Sequence, residues 1–235
     1  MKKAALFISL LLAIISAVSC SKSGNIIVPD DPQDTDTAIV TDVADTEGEE
    51  EIEILDPTEG TAFKKGKIEG NVYTSEFSGI KFTLPDVINF MTQEELDKMA
   101  EQSLKMTNPE DRMRLMSKIT EAEVFDIRTS TLLDISYYNL NILGPENMGK
   151  SEEEFFREFI MPMANNMGVT VTEPVEVELG GRTFTMLKMG EEKKTAPAEY
   201  LYVSRIDNDF IIFITACPGI IGGQEEFEAC FEALS

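Results

Sequence analysis

Tyr200-Leu201-Tyr202-Val203-Ser204-Arg205-Ile206-Asp207-Asn208-Asp209-Phe210-Ile211-Ile212-Phe213-Ile214-Thr215 reads as two strands joined by a turn at Asp207-Asn208. The second strand is apolar on both faces, with Phe210, Ile212 and Ile214 on one and Ile211 and Phe213 on the other. A strand covered on both sides belongs in the middle of a sheet. The rest of the fold is therefore built outward from this hairpin.

Upstream, Val175, Val177 and Leu179 alternate with Glu176 and Glu178, and Gly180-Gly181 turns the chain into Thr183 to Met189 as a second hairpin. Val124 to Arg128 and Leu132 to Ile142 form two more strands around a Thr/Ser turn. Near the start of this region, Val72-Tyr73-Thr74 and Ile80 to Leu84 pair through Ser78-Gly79, and Pro85 ends the strand. Helices alternate with these strands. Thr92 with Glu95 and Ser151 with Glu154 make capping boxes, and Asn108-Pro109 opens a short helix with Pro at its first position. The first helix puts Leu96, Met99 and Ala100 on one side. The helix after Ser151 carries Phe155, Phe156, Phe159, Ile160, Met163 and Met167. Pro162 should kink it and Gly168 should end it. A final helix is expected after Gly222-Gly223, with Phe227, Cys230, Phe231 and Leu234 on one stripe. The fold class is α+β: an antiparallel sheet built from hairpins, with helices packed on its faces. Residues 67–235 form this single domain, large enough to fold without metal or disulfide.

The chain before the domain reads differently. Met1-Lys2-Lys3 is basic and Ala4 to Val18 is apolar apart from Ser9 and Ser16, a stretch shorter than the roughly 20 residues a membrane span needs. It has the layout of a secretory signal, residues 1–19. Ala17-Val18-Ser19-Cys20 resembles the bacterial lipobox, with Ala17 where leucine is usual. The resemblance implies a diacylglyceryl thioether on Cys20, which becomes the first residue of the mature chain. Two acyl chains anchor a protein stably where one does not. Residues 20–66 are rich in Asp, Glu, Thr and Pro, with no basic residue between Lys22 and Lys64. Such a segment is expected to stay disordered and extend by self-repulsion to ~35–40 Å or more. It forms an acidic tether that holds the domain off the bilayer. Asp34-Thr35-Asp36 lacks the glycine and downstream glutamate of a calcium loop.

Net charge and composition exclude several functions. At -23, with 43 acidic against 20 basic residues in 235, the chain repels nucleic acid, so no nucleic-acid partner is expected. There is no histidine, which removes Ser-His-Asp and Cys-His catalysis and histidine-ligated zinc. No catalytic residue, cofactor or metal is expected. Three cysteines are too few for a disulfide scaffold. Cys217, at the end of the central strand, and Cys230 are a candidate disulfide in an oxidising compartment, with two buried thiols as the alternative. Tyr137-Tyr138 and Tyr200/Tyr202 are candidate groove residues, one of each pair expected in the core and the other at the surface. Met113 with Met116, and Met163 with Met167, have same-face helical spacing and read as core filler before soft-metal ligands. Glu152-Glu153-Glu154 read as a helix first turn, and Lys193-Lys194 as a solvated loop.

Tyr73-Thr74-Ser75-Glu76-Phe77-Ser78-Gly79-Ile80-Lys81-Phe82-Thr83-Leu84-Pro85, followed by Thr92-Gln93-Glu94-Glu95-Leu96, resembles small uncharacterised lipoproteins of Clostridia-like Gram-positive bacteria. Their domain is similar in layout to the PsbP/Mog1 superfamily. The bulky residue usual after the proline is replaced here by Asp86-Val87-Ile88. The superfamily implies binding and assembly roles. The expectation is a lipid-anchored protein on the extracytoplasmic face of the cell membrane, binding an unknown envelope protein or ligand without catalysis. The alternative is an extracytoplasmic hydrolase using carboxylates.

Overall fold

The structure is a computed structural model that describes residues 56–106, 109–166, 168–190 and 198–234. Residues 1–19, expected as a signal segment, Cys20, Asp34-Thr35-Asp36 and Lys193-Lys194 lie outside the described residues. Strands β1 (Lys67–Glu69), β2 (Val72–Ser75) and β3 (Ile80–Thr83) come first, then α1 (Gln93–Met106) and α2 (Pro109–Ser117). Next come β4 (Lys118–Asp126), β5 (Thr131–Asn139), α3 (Leu140–Leu143) and α4 (Glu152–Phe155). A π-helical stretch, Phe156–Ile160, leads into α5 (Met161–Asn166). The remainder is β6 (Val175–Leu179), β7 (Arg182–Met189), β8 (Glu199–Arg205), β9 (Phe210–Cys217), α6 (Gln224–Glu228) and β10 (Phe231–Ala233).

The fold is α+β, and its strands form two antiparallel sheets where the sequence suggests one. The larger has the order β4-β5-β9-β8-β7-β6 and the smaller β1-β2-β3-β10. The apolar strand β9 lies inside the larger sheet, between β5 and β8. One face of that sheet meets the smaller sheet: Tyr73, Ile80 and Phe82 pack with Leu133, Ile135, Tyr202, Ile212 and Ile214. The other face carries Leu187, Leu201, Val203, Ile211 and Phe213, covered by Leu140, Phe155, Phe156, Ile160 and Ala164 of the helices. The layers are thus sheet, sheet, helix. Helices cover one face of the large sheet, and a second sheet takes the place of helices on the other.

Local chemistry accounts for most element ends. Thr92 N–H donates to Glu95 Oε2 at 2.8 Å while Glu95 N–H donates to Thr92 Oγ1 at 3.3 Å, which closes the first capping box. The same reciprocal pair joins Ser151 and Glu154. Gly180 and Gly181 have φ of 56° and 75°, as a two-residue hairpin turn requires. Gly168, at φ 68°, follows the last helical turn. Upstream of Pro162, whose ring removes a helical hydrogen bond, the helix widens into the π turn Phe156–Ile160.

Four boundaries differ from expectation. The strand expected from Val124 begins at Lys118, because a bulge between Thr120 and Ala122 breaks the alternation: Ile119 faces Tyr137, and Ala122 faces Ile135 on the same side. The strand expected to reach Ile142 stops at Asn139, whose side chain accepts from Asn141 N–H at 2.9 Å and starts α3. The expected last helix ends at Glu228, and Phe231–Ala233 instead pairs with β3, placing Phe231 opposite Phe82. Pairing and burial here outweigh a helical spacing. Finally, residues 56–66, expected in the tether, lie on the domain. Phe63 contacts Phe77, Tyr137 and Phe210 at ring-centroid distances of 5.1, 5.4 and 5.5 Å, and Asn139 Nδ2 donates to Pro57 O at 2.8 Å.

Candidate functional site

Two groups of polar residues are held inside this fold. The first joins the sheets. Glu121 is the extra residue of the β4 bulge, which turns its side chain into the inter-sheet core, where it is 4% exposed. Tyr73 hydroxyl donates to Glu121 Oε2 at 2.6 Å, and Gly66 N–H donates to Oε1 at 2.7 Å. The Tyr137 hydroxyl lies 2.7 Å from Ser78 Oγ, 3.0 Å from Ser75 Oγ and 3.2 Å from the Tyr73 hydroxyl. Burial raises the pKa of Glu121, against the pull of these two donors. The group is enclosed and its hydrogen bonds are made internally, so it locks the sheets together.

The second group lines a cavity of about 560 Å³ between α1, α2, the edge of the large sheet and the segment 56–65. Helix α1 supplies Leu96, Met99, Ala100, Ser103 and Leu104, and α2 supplies Leu115. Strand β4 supplies Lys118, Ile119, Thr120 and Glu123, β5 supplies Asp134, and Phe63 and Lys65 complete the wall. Lys118 Nζ lies 2.5 Å from Asp134 Oδ2, with side-chain exposures of only 12% and 9%. Asp134 is also hydrogen-bonded to the hydroxyl of Ser136. Burial works against the Lys118 charge, yet Asp134, with Tyr138 and Glu123, raises its pKa above the ordinary value. Glu123 is opposite Asp134 in the ladder. Burial, then repulsion from Asp134, raises its pKa to about 7, with Lys118 pulling the other way.

Lys118 and Asp134 also border a smaller cavity of about 30 Å³ on the helix-covered face, with Arg114 and Glu199. Arg114 Nη1 is buried with no hydrogen-bond partner among the described residues. Glu199 is 6% exposed, and burial raises its pKa to about 8. Acids in helix first turns and on outward strand positions stay hydrated and keep ordinary pKa values. Glu121, Glu123, Asp134 and Glu199 depart from that placement, and the enclosed surroundings of Glu121, Glu123 and Glu199 push their pKa values up.

The residues singled out from the sequence lie elsewhere. Tyr137, Tyr200 and Tyr202 are buried between the sheets, and Tyr138 is buried under the helices. None of these four faces solvent as a groove wall, because both faces of the large sheet are covered and Tyr200 and Tyr202, two residues apart, share one face. Cys217 pairs with Leu132 in the large sheet, whereas Cys230 adjoins the small sheet, its carbonyl accepting from Thr83 N–H at 3.0 Å. Both are free thiols here, so the candidate bridge is not formed in this structure. Burial, and for Cys217 also Glu199, raises their pKa values. Met113 is 48% exposed, which removes it from the expected core, and the side chains of Met163 and Met167 are outside the description. Glu152, Glu153 and Glu154 do form a helix first turn. Among the described residues no group of three or more Cys, Asp or Glu is placed to hold a metal ion. No helix among them is long and apolar enough to cross a membrane.

The sequence did carry a signal for the missed site. Asp134 interrupts the apolar run Leu132-Leu133-Asp134-Ile135, and a charge inside such a run needs a partner. Compared with known proteins, the chain matches no family model and no curated protein.

Proposed function

We propose that this chain is a membrane-anchored extracytoplasmic binding module, non-catalytic, held by acyl chains on Cys20 and receiving its ligand in the cavity beneath α1. The observation that carries this reading is the cavity itself. Its volume of about 560 Å³ and its mixed walls, apolar at Leu96, Met99, Leu115 and Ile119 and polar at Lys118, Glu123 and Asp134, have the make-up of a small-molecule site. The lipobox supports the anchor, and the acidic run before residue 56 supports display away from the bilayer. The resemblance to PsbP/Mog1-like domains supports a binding or assembly role, with an envelope ligand or protein as partner.

The test is to fill the cavity. Ala100 lines it from an exposed turn of α1, so Ala100→Trp should occupy the space without disturbing the inter-sheet core. Native mass spectrometry of the lipidated protein should show a bound small molecule that the variant lacks at an unchanged unfolding midpoint. Equal ligand loading in both proteins would remove the cavity as the site.

A carboxylate-dependent hydrolase is the second reading, favoured by one observation: Glu123, with a pKa of about 7, lies beside Asp134. Asp134 is engaged by Lys118 and Ser136, which leaves Glu123 as the acid of this pair suited to proton transfer. If Glu123→Gln abolished a measurable hydrolysis while leaving the unfolding midpoint unchanged, this reading would replace the first.

A further inference from the structure

Among the described residues, six charged side chains line the cavity: the carboxylates of Asp56, Asp97, Glu123 and Asp134, and the ammonium groups of Lys65 and Lys118. Five have internal partners. Lys118 is paired with Asp134 at 2.5 Å. Lys65 Nζ donates to Gln93 Oε1 at 2.7 Å, and Gln93 Nε2 donates to Asp97 Oδ1 at 2.7 Å. Asp56 accepts from the Thr58 N–H and hydroxyl at 2.8 and 2.7 Å. Of the four carboxylates, Glu123 alone accepts no hydrogen bond among the described residues, and it stands against the like charge of Asp134, with the Lys118 ammonium acting on it in the opposite sense. Arg114 and Glu199 line the small cavity and not the large one.

A half-buried carboxylate facing a partly open cavity is stabilised by a cation that brings its own donors. The other walls, Leu96, Met99, Leu104, Leu115 and Ile119, suit hydrocarbon. The chain's net charge of -23 raises the local concentration of cations around it.

We propose that the cavity beneath α1 takes an organic cation, a protonated amine on an apolar body, with the amine on the Glu123 carboxylate and the body against Leu96, Met99 and Ile119. This rests on the cavity being the ligand site, and it adds the chemical class of the ligand. Lys118–Asp134 positions the acid without itself being displaced. The bound amine favours the charged form of the Glu123 carboxylate.

The experiment compares three probes of one shape, hexylamine, hexanol and hexanoate, against the full mature protein by amide NMR titration at pH 7.5. Hexylamine should move the resonances of Leu96, Ile119, Thr120 and Glu123 and bind best of the three. Glu123→Gln should weaken hexylamine by about tenfold or more, the scale of one charge-assisted hydrogen bond, and leave hexanol within about twofold. Hexanol or hexanoate entering the cavity as well as hexylamine, or an unchanged hexylamine affinity in Glu123→Gln, would overturn the cation while leaving the binding module intact. If none of the three moved these resonances, both readings would fall.

Discussion

The Tyr73 hydroxyl donates to the Glu121 carboxylate at 2.6 Å across the two sheets, from the second strand of the small sheet to the bulge of the edge strand of the large one. Apolar packing alone would let the sheets slide. This hydrogen bond, with Gly66 N–H on the other oxygen, ties one register to the other and also fixes the entry of the chain into the domain.

Tyr73→Phe should therefore destabilise the fold by about 1–3 kcal/mol, since it strips a donor from a buried carboxylate while keeping the ring. Pairing it with Glu121→Gln should recover part of the loss, because an amide costs less to leave short of donors than a charge does. Urea unfolding of the two single variants and the double variant measures the coupling. Strict additivity would mean that the hydrogen bond contributes nothing specific.

Much of the fold was legible, because strand alternation and capping boxes are local. Val72 to Thr83, the Gly180-Gly181 hairpin, the Thr92 and Ser151 caps and the inner position of Phe210 to Thr215 all stand in the structure as their patterns suggest. Two kinds of information were not local. A bulge shifts the phase of alternation, so Lys118 to Glu123 hid as a strand. The second sheet depends on Phe231 finding Phe82, a pairing between the two ends of the domain that no window of sequence contains. The site was hidden for the same reason: Lys118, Glu123 and Asp134 meet only after β4 and β5 pair.

Stability should fall as pH rises from about 4.5 to about 8. Glu123 and Glu199 have folded pKa values raised to about 7 and about 8, against ordinary values of 4.5. Their protonated forms favour the fold fully below the unfolded pKa, and that contribution is lost as pH climbs through the folded values. For Glu199 the upper bound is ~4 kcal/mol across this window. Chemical unfolding at pH 5, 6.5 and 8 should show the decline, and Glu199→Gln should flatten it and be the more stable protein at pH 8. A wild-type stability that rose between pH 5 and pH 8 would contradict the burial of these acids.

The thiols should react slowly and unequally. Both pKa values are raised by burial, and Cys217, deeper and beside Glu199, is raised the more strongly. Thiolate attack at pH 8 should therefore label Cys230 before Cys217. Peptide mapping after alkylation without reductant decides between thiols and a bridge: two labelled cysteines are expected. A linked Cys217–Cys230 peptide from protein taken directly from its native cells would show that the crosslink forms there.

Acylation of Cys20 is expected from Ala17-Val18-Ser19-Cys20 behind a basic, apolar leader. Labelled palmitate should enter the wild-type chain and not Cys20→Ala, which should appear in the soluble fraction. Equal labelling of both proteins would end the lipoprotein reading and leave the cavity argument untouched.

The Lys118–Asp134 pair should be costly to break singly and cheap to replace whole. Lys118→Met leaves Asp134 nine-tenths enclosed beside Glu123, two acids with no cation between them. That change should cost about 3–5 kcal/mol, as removal of one partner of a buried pair does. Lys118→Met with Asp134→Leu removes both charges and should regain most of that loss, since apolar groups of similar volume pack well where a desolvated pair stood. The double variant also separates support from recognition. If Glu123 holds the ligand amine, hexylamine should still bind it, more weakly by the loss of the neighbouring charges but still more tightly than hexanol. If the pair itself were the recognition element, the preference for the amine would vanish with it, although the protein remained folded by thermal unfolding and amide dispersion.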